Sequence, residues 1–477
     1  MLCQQKMLGQ KKRKMKKDID ILFVIPPYHK RNGSGSLFPL GTGAIMACLE
    51  QQNMSYGYID CPQMIDSLYP HDLQRLEEML KEKLSLYNPI LVGIGPCVTP
   101  GIKGLEVVTR CCLEEFGSER VFAGGPFTLL LSQEWYFYER LGLKYLIKGD
   151  GENAVCEAVK TLKEGKPLTQ CEVVSFQGHS FINIVKNLDE MPFPKRVGLE
   201  SNVYSERRRA AKEGTKTAHI VASRGCPYHC AYCVSGNLKM PFRKRSAENI
   251  VEEMKMLKNQ YGVSDIVFYD DCFFTGTNTV HREIERFCSA LEKEKLHMTW
   301  QIEIRPDILV NLNDGELRRV SKLGCRQMNI GVEKTYDDGA SVFGKPYDYE
   351  KLKVYLAHAH TVVPIRMTGT FILGGERETQ DSVREIIKAS ADMNLDAAEY
   401  SPLFVYPDTP IYDKVFASPK SWVDVILLAE EPWGEIVYEN DDLDKKTLIA
   451  LVEEAYRCFY KDNVESMKVR DRYHLKG

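Results

Sequence analysis

Residues 218–236 read AHIVASRGCPYHCAYCVSG, an apolar strand that runs into a loop with three cysteines. Cys226, Cys230 and Cys233 have the spacing CxxxCxxC. Three thiolates in one loop can hold three irons of a 4Fe-4S cubane and leave the fourth iron without a protein ligand. A zinc site normally takes four ligands, often as two CxxC pairs, and here only His229 could make up the fourth. The spacing therefore favours an iron-sulfur cluster over zinc and over three unrelated core cysteines.

Downstream of this loop, short apolar runs alternate with segments of helical periodicity. Apolar strands separated by helices predict a parallel sheet, and six such units in succession fit a partial or full parallel barrel. The chemistry of such a barrel takes place at the carboxyl ends of its strands. The predicted strands are 218–223, 265–269, 298–304, 327–332, 366–373 and 397–405, with helices at 246–260, 279–294, 314–323, 349–361 and 379–393.

A similar alternation fills residues 18–165, upstream of the cysteines. Its strands are short continuous apolar runs, as expected for a parallel sheet covered by helices on both faces. We therefore predict an α/β domain of the Rossmann-like, doubly wound type, which binds ligands outside the carboxyl ends of its strands. The predicted strands are 21–25, 56–60, 91–95, 121–125 and 145–149, and the helices include 43–52, 71–86 and 102–116.

Three further segments flank these domains. Residues 1–17 end in the basic run KKRKMKK, which predicts a disordered tail, with a role in binding nucleic acid or membrane as the alternative. Residues 166–217 are polar and punctuated by proline, which is typical of a linker. The barrel is predicted over 218–415, and a small helical cap over 416–477.

The composition narrows the class of protein. The chain has 477 residues, of which 44% are hydrophobic and 27% charged, and these values fit a globular protein of two or three domains. A formal net charge of -3 gives no overall attraction to nucleic acid. We find neither a bilayer-spanning apolar stretch nor the apolar run of a signal peptide. The fifteen cysteines are therefore expected to be thiols in a cytoplasmic protein.

The cysteine loop resembles that of the radical S-adenosylmethionine (SAM) superfamily, which has the form CxxxCx(aromatic)C with Tyr232 as the aromatic residue. By this resemblance Tyr232 is expected to contact SAM. The resemblance implies a partial (βα)6 barrel whose open iron binds the amino and carboxylate groups of SAM. It also implies that an electron from the cluster cleaves SAM to methionine and a deoxyadenosyl radical, which abstracts hydrogen from the substrate. The cofactors carry this chemistry, and the sequence assigns no catalytic side chain.

The strand ends of the barrel also resemble this superfamily. FYDDCFFTG at 268–276 takes the place of the SAM-amine motif, and Asp270 or Asp271 would suit the ammonium group. In WQIEIRPD at 300–307, Arg305 would pair with the SAM carboxylate. The alternative to a SAM contact is that each of these charged residues forms an ordinary ion pair at the protein surface. By the same resemblance, Glu333 in MNIGVEKT would hydrogen-bond the ribose, and Gly369 in GTFILGG would lie along the adenine.

Two turns depart from the superfamily pattern. GGERET at 374–379 stands where GLPGET is common, and PDTP at 407–410 stands where PGTP is common. Both turns are expected at the substrate end of the SAM-binding cleft, so its shape there is expected to differ from the common superfamily pattern.

The N-terminal domain, LDEMPFPKR at 188–196 and EEAYRCFYKDN at 453–463 resemble the cobalamin-binding branch of the superfamily. In that branch the corrin lies between the two domains and its nucleotide tail enters the Rossmann-like one. The residues expected to contact cobalamin are Gly95, Thr99, Gly124, Gly125, Gly149, Gly151 and Glu152. The alternative is that these glycines only form tight turns between strands and helices.

The cobalamin signature DxHxxG is not reproduced in this chain. In PPYHKRNG at 26–33, Pro27 stands where the aspartate would be, and three residues instead of two separate His29 from Gly33. Because many members of the branch also lack the motif, we expect base-off cobalamin without a histidine ligand.

The resemblance implies a methyltransferase that acts on an unactivated carbon or phosphorus of a small-molecule or peptide substrate. An external electron donor such as flavodoxin or ferredoxin would reduce the cluster. The alternatives are a radical SAM cyclase, a ring-contraction or rearrangement enzyme, and a cobalamin-independent radical SAM enzyme. A non-catalytic iron-sulfur protein is a further alternative, although it would need four ligands for each cluster.

Overall fold

The computed structural model describes residues 16–27, 39–64, 73–98, 101–199, 215–238, 240–336, 343–416, 419–428 and 437–461. The chain divides into two compact units. The first comprises residues up to 183 except 30–44 and 129–136, and the second comprises all the others.

The first unit is built on a parallel sheet with the strand order β2-β1-β3-β4-β5. Strand β1 pairs with a neighbour on each side, and Ile21 to Ile25 are all buried, which explains its unbroken apolar run. This is the order of a flavodoxin-like doubly wound sheet, whose ligand site is expected where the order reverses, between β1 and β3. The strands are β1 Lys17–Ile25, β2 Tyr56–Asp60, β3 Tyr87–Ile94, β4 Val121–Gly124 and β5 Tyr145–Gly149.

The helices between these strands confirm the predicted alternation. They are α1 Leu40–Gln51, α2 Cys61–Met64, α3 Leu73–Leu84, α4 Ile102–Phe116 and α5 Gly151–Lys163. Two short strands then extend the first sheet, since β6 Ser175–Phe176 pairs antiparallel with β5 and β7 Ile182–Asn183 pairs parallel with it. The first part of the segment predicted to be a linker, up to residue 183, is thus part of this unit.

The second unit contains a six-stranded parallel sheet in which the strands follow one another in chain order. This is the partial barrel expected from the sequence. Its core includes Trp300, Phe268, Phe273 and Phe287, whose rings lie 4.3 to 6.5 Å apart. The sheet strands are β8 Thr217–Ile220, β11 Asp265–Phe268, β12 Thr299–Ile304, β13 Cys325–Glu333, β14 Arg366–Leu373 and β15 Ala397–Pro402.

The helices of this unit follow the strands in turn. They are α6 Val234–Asn237, α7 Ala247–Tyr261, α8 Val280–Glu294, α9 Pro306–Leu309, α10 Asp314–Lys322, α11 Tyr349–Val362, α12 Gln380–Ala391, α13 Tyr412–Val415, α14 Pro419–Leu428 and α15 Lys445–Tyr460. Two residue pairs, β9 Ser223–Arg224 and β10 Arg243–Lys244, form a separate antiparallel ribbon. Among the described residues, no helix combines the length and the apolar character that crossing a bilayer requires.

Helix α15 covers the outer edge of β15. Tyr456 Oη accepts from the amide of Tyr400 at 2.9 Å and donates to its carbonyl at 3.2 Å. Tyr460 makes the same two contacts with Ala398, at 2.9 and 3.0 Å. Two tyrosine hydroxyls therefore satisfy backbone groups that an edge strand would otherwise leave open.

Candidate functional site

The three cysteines lie in one loop beyond the carboxyl end of β8, as the sequence predicts. Cys230 is buried, and Cys226 and Cys233 are partly exposed. The side-chain amide of Asn237 donates to the carbonyl oxygens of Cys230 and Cys233 at 3.0 and 2.6 Å. The amide of Cys233 also donates to the carbonyl of Cys230 at 3.0 Å. These hydrogen bonds hold the backbone of the loop and do not involve the sulfur atoms of the three cysteines.

His229 is held by the backbone of the same loop. Its Nδ1 lies 2.7 Å from the carbonyl oxygen of Gly236, so this nitrogen donates to a backbone acceptor. In the part of the chain that the structure describes, no three His, Cys, Asp or Glu side chains form a group suited to one metal ion. A cubane differs from such a site because it places each of three thiolates on a different iron.

Burial favours the protonated thiol of Cys226 and of Cys233. It raises the pKa of Cys226 to about 11, and the charges of Asp271, Cys233 and Cys230 act in the same direction. Burial also raises the pKa of Cys233, again with Asp271 and Cys230 nearby. The three thiols are thus close enough to influence one another, and loading iron onto them would release protons.

Arg305, which follows β12, reaches the cysteine loop. Its Nη1 lies 3.6 Å from Cys230 Sγ, and its Nε and Nη2 donate to the two carboxylate oxygens of Asp307 at 2.9 and 3.3 Å. The guanidinium carbon is 3.9 Å from the ring centroid of Tyr228. The bidentate face that was expected to meet a SAM carboxylate is therefore occupied by Asp307. The SAM role of Arg305 stays a prediction.

Glu333 ends β13 and also faces the cysteine loop. Its Oε1 accepts from Tyr232 Oη and from Lys345 Nζ, both at 3.0 Å, and its φ of 64° is in the left-handed region. The segment that carries Lys345 packs on the loop, because the amide of Ala231 donates to the carbonyl of Phe343 at 2.9 Å. Glu333 and Tyr232, which were predicted separately to contact SAM, are thus brought together by one hydrogen bond.

The two aspartates after β11 have different surroundings. Asp270 is buried, and its carboxylate accepts from the amide of Ala222 at 3.1 Å and from the hydroxyl of Ser223. Asp271 is exposed and close enough to Cys226 to affect the pKa of that thiol. Of the two, Asp271 is the one that lies beside the cysteine loop, and its contact with the SAM ammonium group stays a prediction.

The last residue predicted to contact SAM, Gly369, lies within β14 and is buried. A side chain at this position would meet Leu395 Cδ1 at 2.6 Å and the ring of Phe371 at 3.0 Å. The glycine thus makes room for two apolar side chains of the second unit. Its contact with the adenine stays a prediction.

The two turns that depart from the superfamily pattern each have a defined conformation. In GGERET, Gly374 has a φ of 89°, Glu378 is buried against Lys334, and Thr379 begins α12 with a capping box to Ser382. In PDTP, Asp408 has a φ of 59° and accepts from the amide of Ser132 at 3.2 Å. Side-chain contacts therefore shape the turns in which the common glycines and prolines are missing.

In the first unit, the predicted cobalamin residues lie at the carboxyl ends of three adjacent strands. The turns after β3 and β4 interlock, because the amide of Cys97 donates to the carbonyl of Gly124 at 2.8 Å and a Cβ on Gly125 would lie 2.5 Å from that amide. After β5, a Cβ on Gly149 would meet the carbonyl of Asn183 at 2.3 Å. Gly95 belongs to the turn after β3, Gly151 and the buried Glu152 are the first residues of α5, and Thr99 lies outside the described residues.

These contacts show that the glycines allow close approach of backbone to backbone. They support the alternative of tight turns, and they leave the cobalamin contacts a prediction. His29 and Gly33 also lie outside the described residues.

Sequence reasoning assigned no role to Tyr228, Asp307 and Lys345, which contact Arg305 or Glu333. It also assigned none to Lys334, which pairs with Glu378 of the GGERET turn. Asp307 stands two residues after Arg305, so a charge pair could have been suggested from spacing. Tyr228 lies inside the cysteine spacing itself. Nothing in the sequence signals that the two lysines are buried, because their partners come from other strand ends.

Comparison with known proteins agrees with this geometry. Residues 220–389 match the radical SAM superfamily. The chain is 23% identical to an uncharacterized methyltransferase of Pyrococcus horikoshii, over 93% of each chain. It is also 23% identical to the anaerobic magnesium-protoporphyrin IX monomethyl ester cyclase of Rubrivivax gelatinosus, over 92% of this chain and 77% of the cyclase.

Two solved structures share the fold. The radical SAM methyltransferase TsrM of Kitasatospora setae, with cobalamin and a 4Fe-4S cluster bound, has a TM-score of 0.64 at 17% identity, over 84% of this chain and 75% of TsrM. The cobalamin-dependent SAM radical enzyme OxsB, with aqua-cobalamin bound, has a TM-score of 0.68 at 16% identity, over 96% of this chain and 69% of OxsB.

Proposed function

We propose that this chain is a radical SAM enzyme, a cobalamin-dependent methyltransferase that acts on an unactivated carbon or phosphorus of a small molecule or peptide. The observation that carries the proposal is the loop of Cys226, Cys230 and Cys233 at the carboxyl end of the first barrel strand. Three cysteine ligands leave one iron of a cubane open. The full-length similarity to a methyltransferase supports the choice of reaction.

The residues present fit a 4Fe-4S cluster. Cys226 and Cys233 lie close enough to Cys230 for a charge on that sulfur to raise their pKa, and Asn237 donates hydrogen bonds to the loop carbonyls. When bound, the cluster with SAM would supply the radical that abstracts hydrogen from a substrate. The chain's own residues would hold the cluster, orient SAM and keep water from the site.

The proposed SAM contacts follow from the chemistry of the side chains around the loop. Asp271, exposed beside the cysteines, would accept from the SAM ammonium group. Glu333 would accept from ribose hydroxyls in exchange for Tyr232 or Lys345. For the SAM carboxylate, Arg305 would have to release Asp307, or would use the N–H groups that Asp307 leaves over.

The proposal also includes a cofactor bound by the first unit, an electron donor and the cellular compartment. The glycine turns after β3, β4 and β5 stand where an open α/β sheet binds its ligand, and cobalamin is the proposed ligand. The proposed donor of the reducing electron is a flavodoxin or a ferredoxin. A reducing cytoplasm is supported by the cysteines, since no disulfide joins any two of those that are described.

A second candidate function is a radical cyclisation without methyl transfer. It is favoured by the cyclase of Rubrivivax gelatinosus, to which the similarity extends over 92% of this chain. The two functions share the cluster, SAM and the barrel, and they differ in whether the methyl group of SAM reaches the product.

One experiment tests the proposal and separates the two candidates. The protein is reconstituted anaerobically with iron, sulfide and cobalamin, and then given dithionite, SAM with a deuterated methyl group and candidate substrates. We expect deoxyadenosine by chromatography and a trideuteromethyl product by mass spectrometry. Deoxyadenosine with an unmethylated, cyclised product would favour the second candidate. A cluster-loaded protein that never cleaves SAM would contradict both, with Cys230→Ala as the inactive control.

A further inference from the structure

Arg305 places a buried positive charge against the sulfur of one cysteine of the loop. Its side chain is 8% exposed, and its Nη1 lies 3.6 Å from Cys230 Sγ, within the range of a hydrogen bond to sulfur. Cys230 is itself buried. Between two groups withdrawn from water, the low local dielectric strengthens the interaction of the guanidinium with any negative charge on the sulfur.

The direction of this N–H group is fixed by two other residues. Asp307 takes Nε and Nη2 of Arg305 in a bidentate pair, at 2.9 and 3.3 Å, and so turns Nη1 toward Cys230. The ring of Tyr228 lies against the guanidinium at 3.9 Å, and its hydroxyl accepts from the amide of Gly276 at 3.1 Å. The cation is therefore clamped between a carboxylate, an aromatic face and a sulfur.

We infer that Arg305 sets the reduction potential of the cluster by donating a hydrogen bond to the Cys230 thiolate, with Tyr228 and Asp307 as its positioning residues. The inference rests on the proposed function, since it requires a 4Fe-4S cluster on this loop. Hydrogen bonds to the sulfur ligands and nearby net charge are among the factors that set the potentials of such clusters. Reduction adds one negative charge to the cluster, so a fixed cation at 3.6 Å from a ligand sulfur favours the reduced state.

The test is a potentiometric titration of the reconstituted full-length protein, with the reduced cluster followed by electron paramagnetic resonance. Arg305→Gln removes the charge and keeps a polar side chain. We expect the ratio of reduced to oxidised cluster at the wild-type midpoint to fall about tenfold, which for a one-electron couple is about 59 mV. Tyr228→Leu, which keeps the charge but removes its aromatic support, should give a smaller shift in the same direction.

Arg326→Gln is the matched control. Arg326 is also paired bidentately with a buried aspartate, Asp265, at 2.6 and 2.9 Å, but it stands at the start of β13, at the opposite end of the sheet from the cysteine loop. The cluster of the Arg326→Gln variant should have the reduction potential of the wild type. If Arg305→Gln holds no cluster, Tyr228→Leu is titrated instead, and an unchanged potential in this variant would overturn the inference.

Two further outcomes separate this inference from the proposed function. An Arg305→Gln protein with the wild-type potential but without SAM binding would overturn the inference and assign Arg305 to the SAM carboxylate. A wild-type protein that assembles no 4Fe-4S cluster would overturn the proposed function itself.

Discussion

Lys334 and Glu378 form a buried ion pair at the carboxyl ends of two neighbouring strands, with Nζ 2.5 Å from Oε1 and at most 4% of either side chain exposed. The same ammonium donates to the carbonyl oxygens of Ile372 and Gly374, at 2.8 and 3.1 Å. Burial lowers the pKa of Lys334, and the charge of Glu378 opposes that shift. The pair thus ties the residue after Glu333 to the GGERET turn.

Removing one partner should destabilise the protein strongly, because the other is left buried without a counter-charge. We expect Lys334→Met to lower the free energy of unfolding by about 3 to 5 kcal/mol in urea denaturation. The control is Lys414→Met, since Lys414 pairs at 2.5 Å with Glu376 of the same turn, but both side chains are half exposed. Lys414→Met should lower the free energy of unfolding by about 1 kcal/mol at most. Equal losses in the two variants would contradict the prediction.

The cysteine loop gives the most direct test of the cluster. Cys226→Ala, Cys230→Ala and Cys233→Ala should each abolish the iron-sulfur absorbance after reconstitution, because an iron loses its only protein ligand. Cys288→Ala and Cys325→Ala, which remove buried thiols of the barrel, are the controls and should keep the absorbance. Full cluster content in a variant of the loop would refute the ligand assignment.

How far the sequence predicts the fold depends on whether a pattern is local. The strands 56–60, 145–149 and 366–373 were predicted with the bounds that the structure has. The last strand was predicted to 405 but ends at Pro402. Leu403 and Val405 are buried beyond its end, so apolar content continues where strand pairing stops.

The same distinction applies to the site. The three cysteines proposed to hold the cluster lie within eight residues of one another, so their spacing alone suggests a shared site. The contact of Arg305 with Cys230 joins residues 75 positions apart, and that of Tyr232 with Glu333 joins residues 101 apart. Such pairs depend on how the strand ends meet, which periodicity does not encode.

Asp270 should make the stability of the protein depend on pH. Burial raises its pKa to about 6, despite its hydrogen bonds from Ala222 and Ser223. Between pH 4 and 6 the folded state therefore holds a proton that the unfolded state has lost, so stability falls as the pH rises. The loss amounts to about 3 kcal/mol for a shift of about two pKa units.

Asp270→Asn removes this titration and can keep both hydrogen bonds, since its Oδ1 can accept from Ala222 and its Nδ2 can donate to Ser223. In urea denaturation from pH 4 to 7, the free energy of unfolding of Asp270→Asn should lack the fall with rising pH that Asp270 causes in the wild type. Asp381→Asn, at a side chain that is 95% exposed, is the control and should follow the wild-type profile. Parallel profiles for Asp270→Asn and the wild type would contradict the pKa assignment.

The hydroxyls of Tyr456 and Tyr460 should stabilise the edge of β15. Replacing each by phenylalanine leaves a buried amide and carbonyl of the strand without partners, at a cost of about 1 to 3 kcal/mol per tyrosine. The measurement is thermal or urea unfolding, with Tyr269→Phe as the control because its ring is 52% exposed. Variants as stable as the wild type would mean that water satisfies this edge equally well.

Cobalamin bound to this chain should have no histidine on its cobalt. Pro27 stands where an aspartate would orient such a ligand, and it is buried against Gly104, where a Cβ would lie 2.4 Å from its Cγ. His29, beyond the described residues, is one position further from Gly33 than in the DxHxxG motif. Electron paramagnetic resonance of the cobalt(II) form should therefore show no nitrogen superhyperfine splitting, and His29→Ala should bind cobalamin like the wild type. A splitting that vanishes in His29→Ala would show instead that the longer loop still delivers the imidazole.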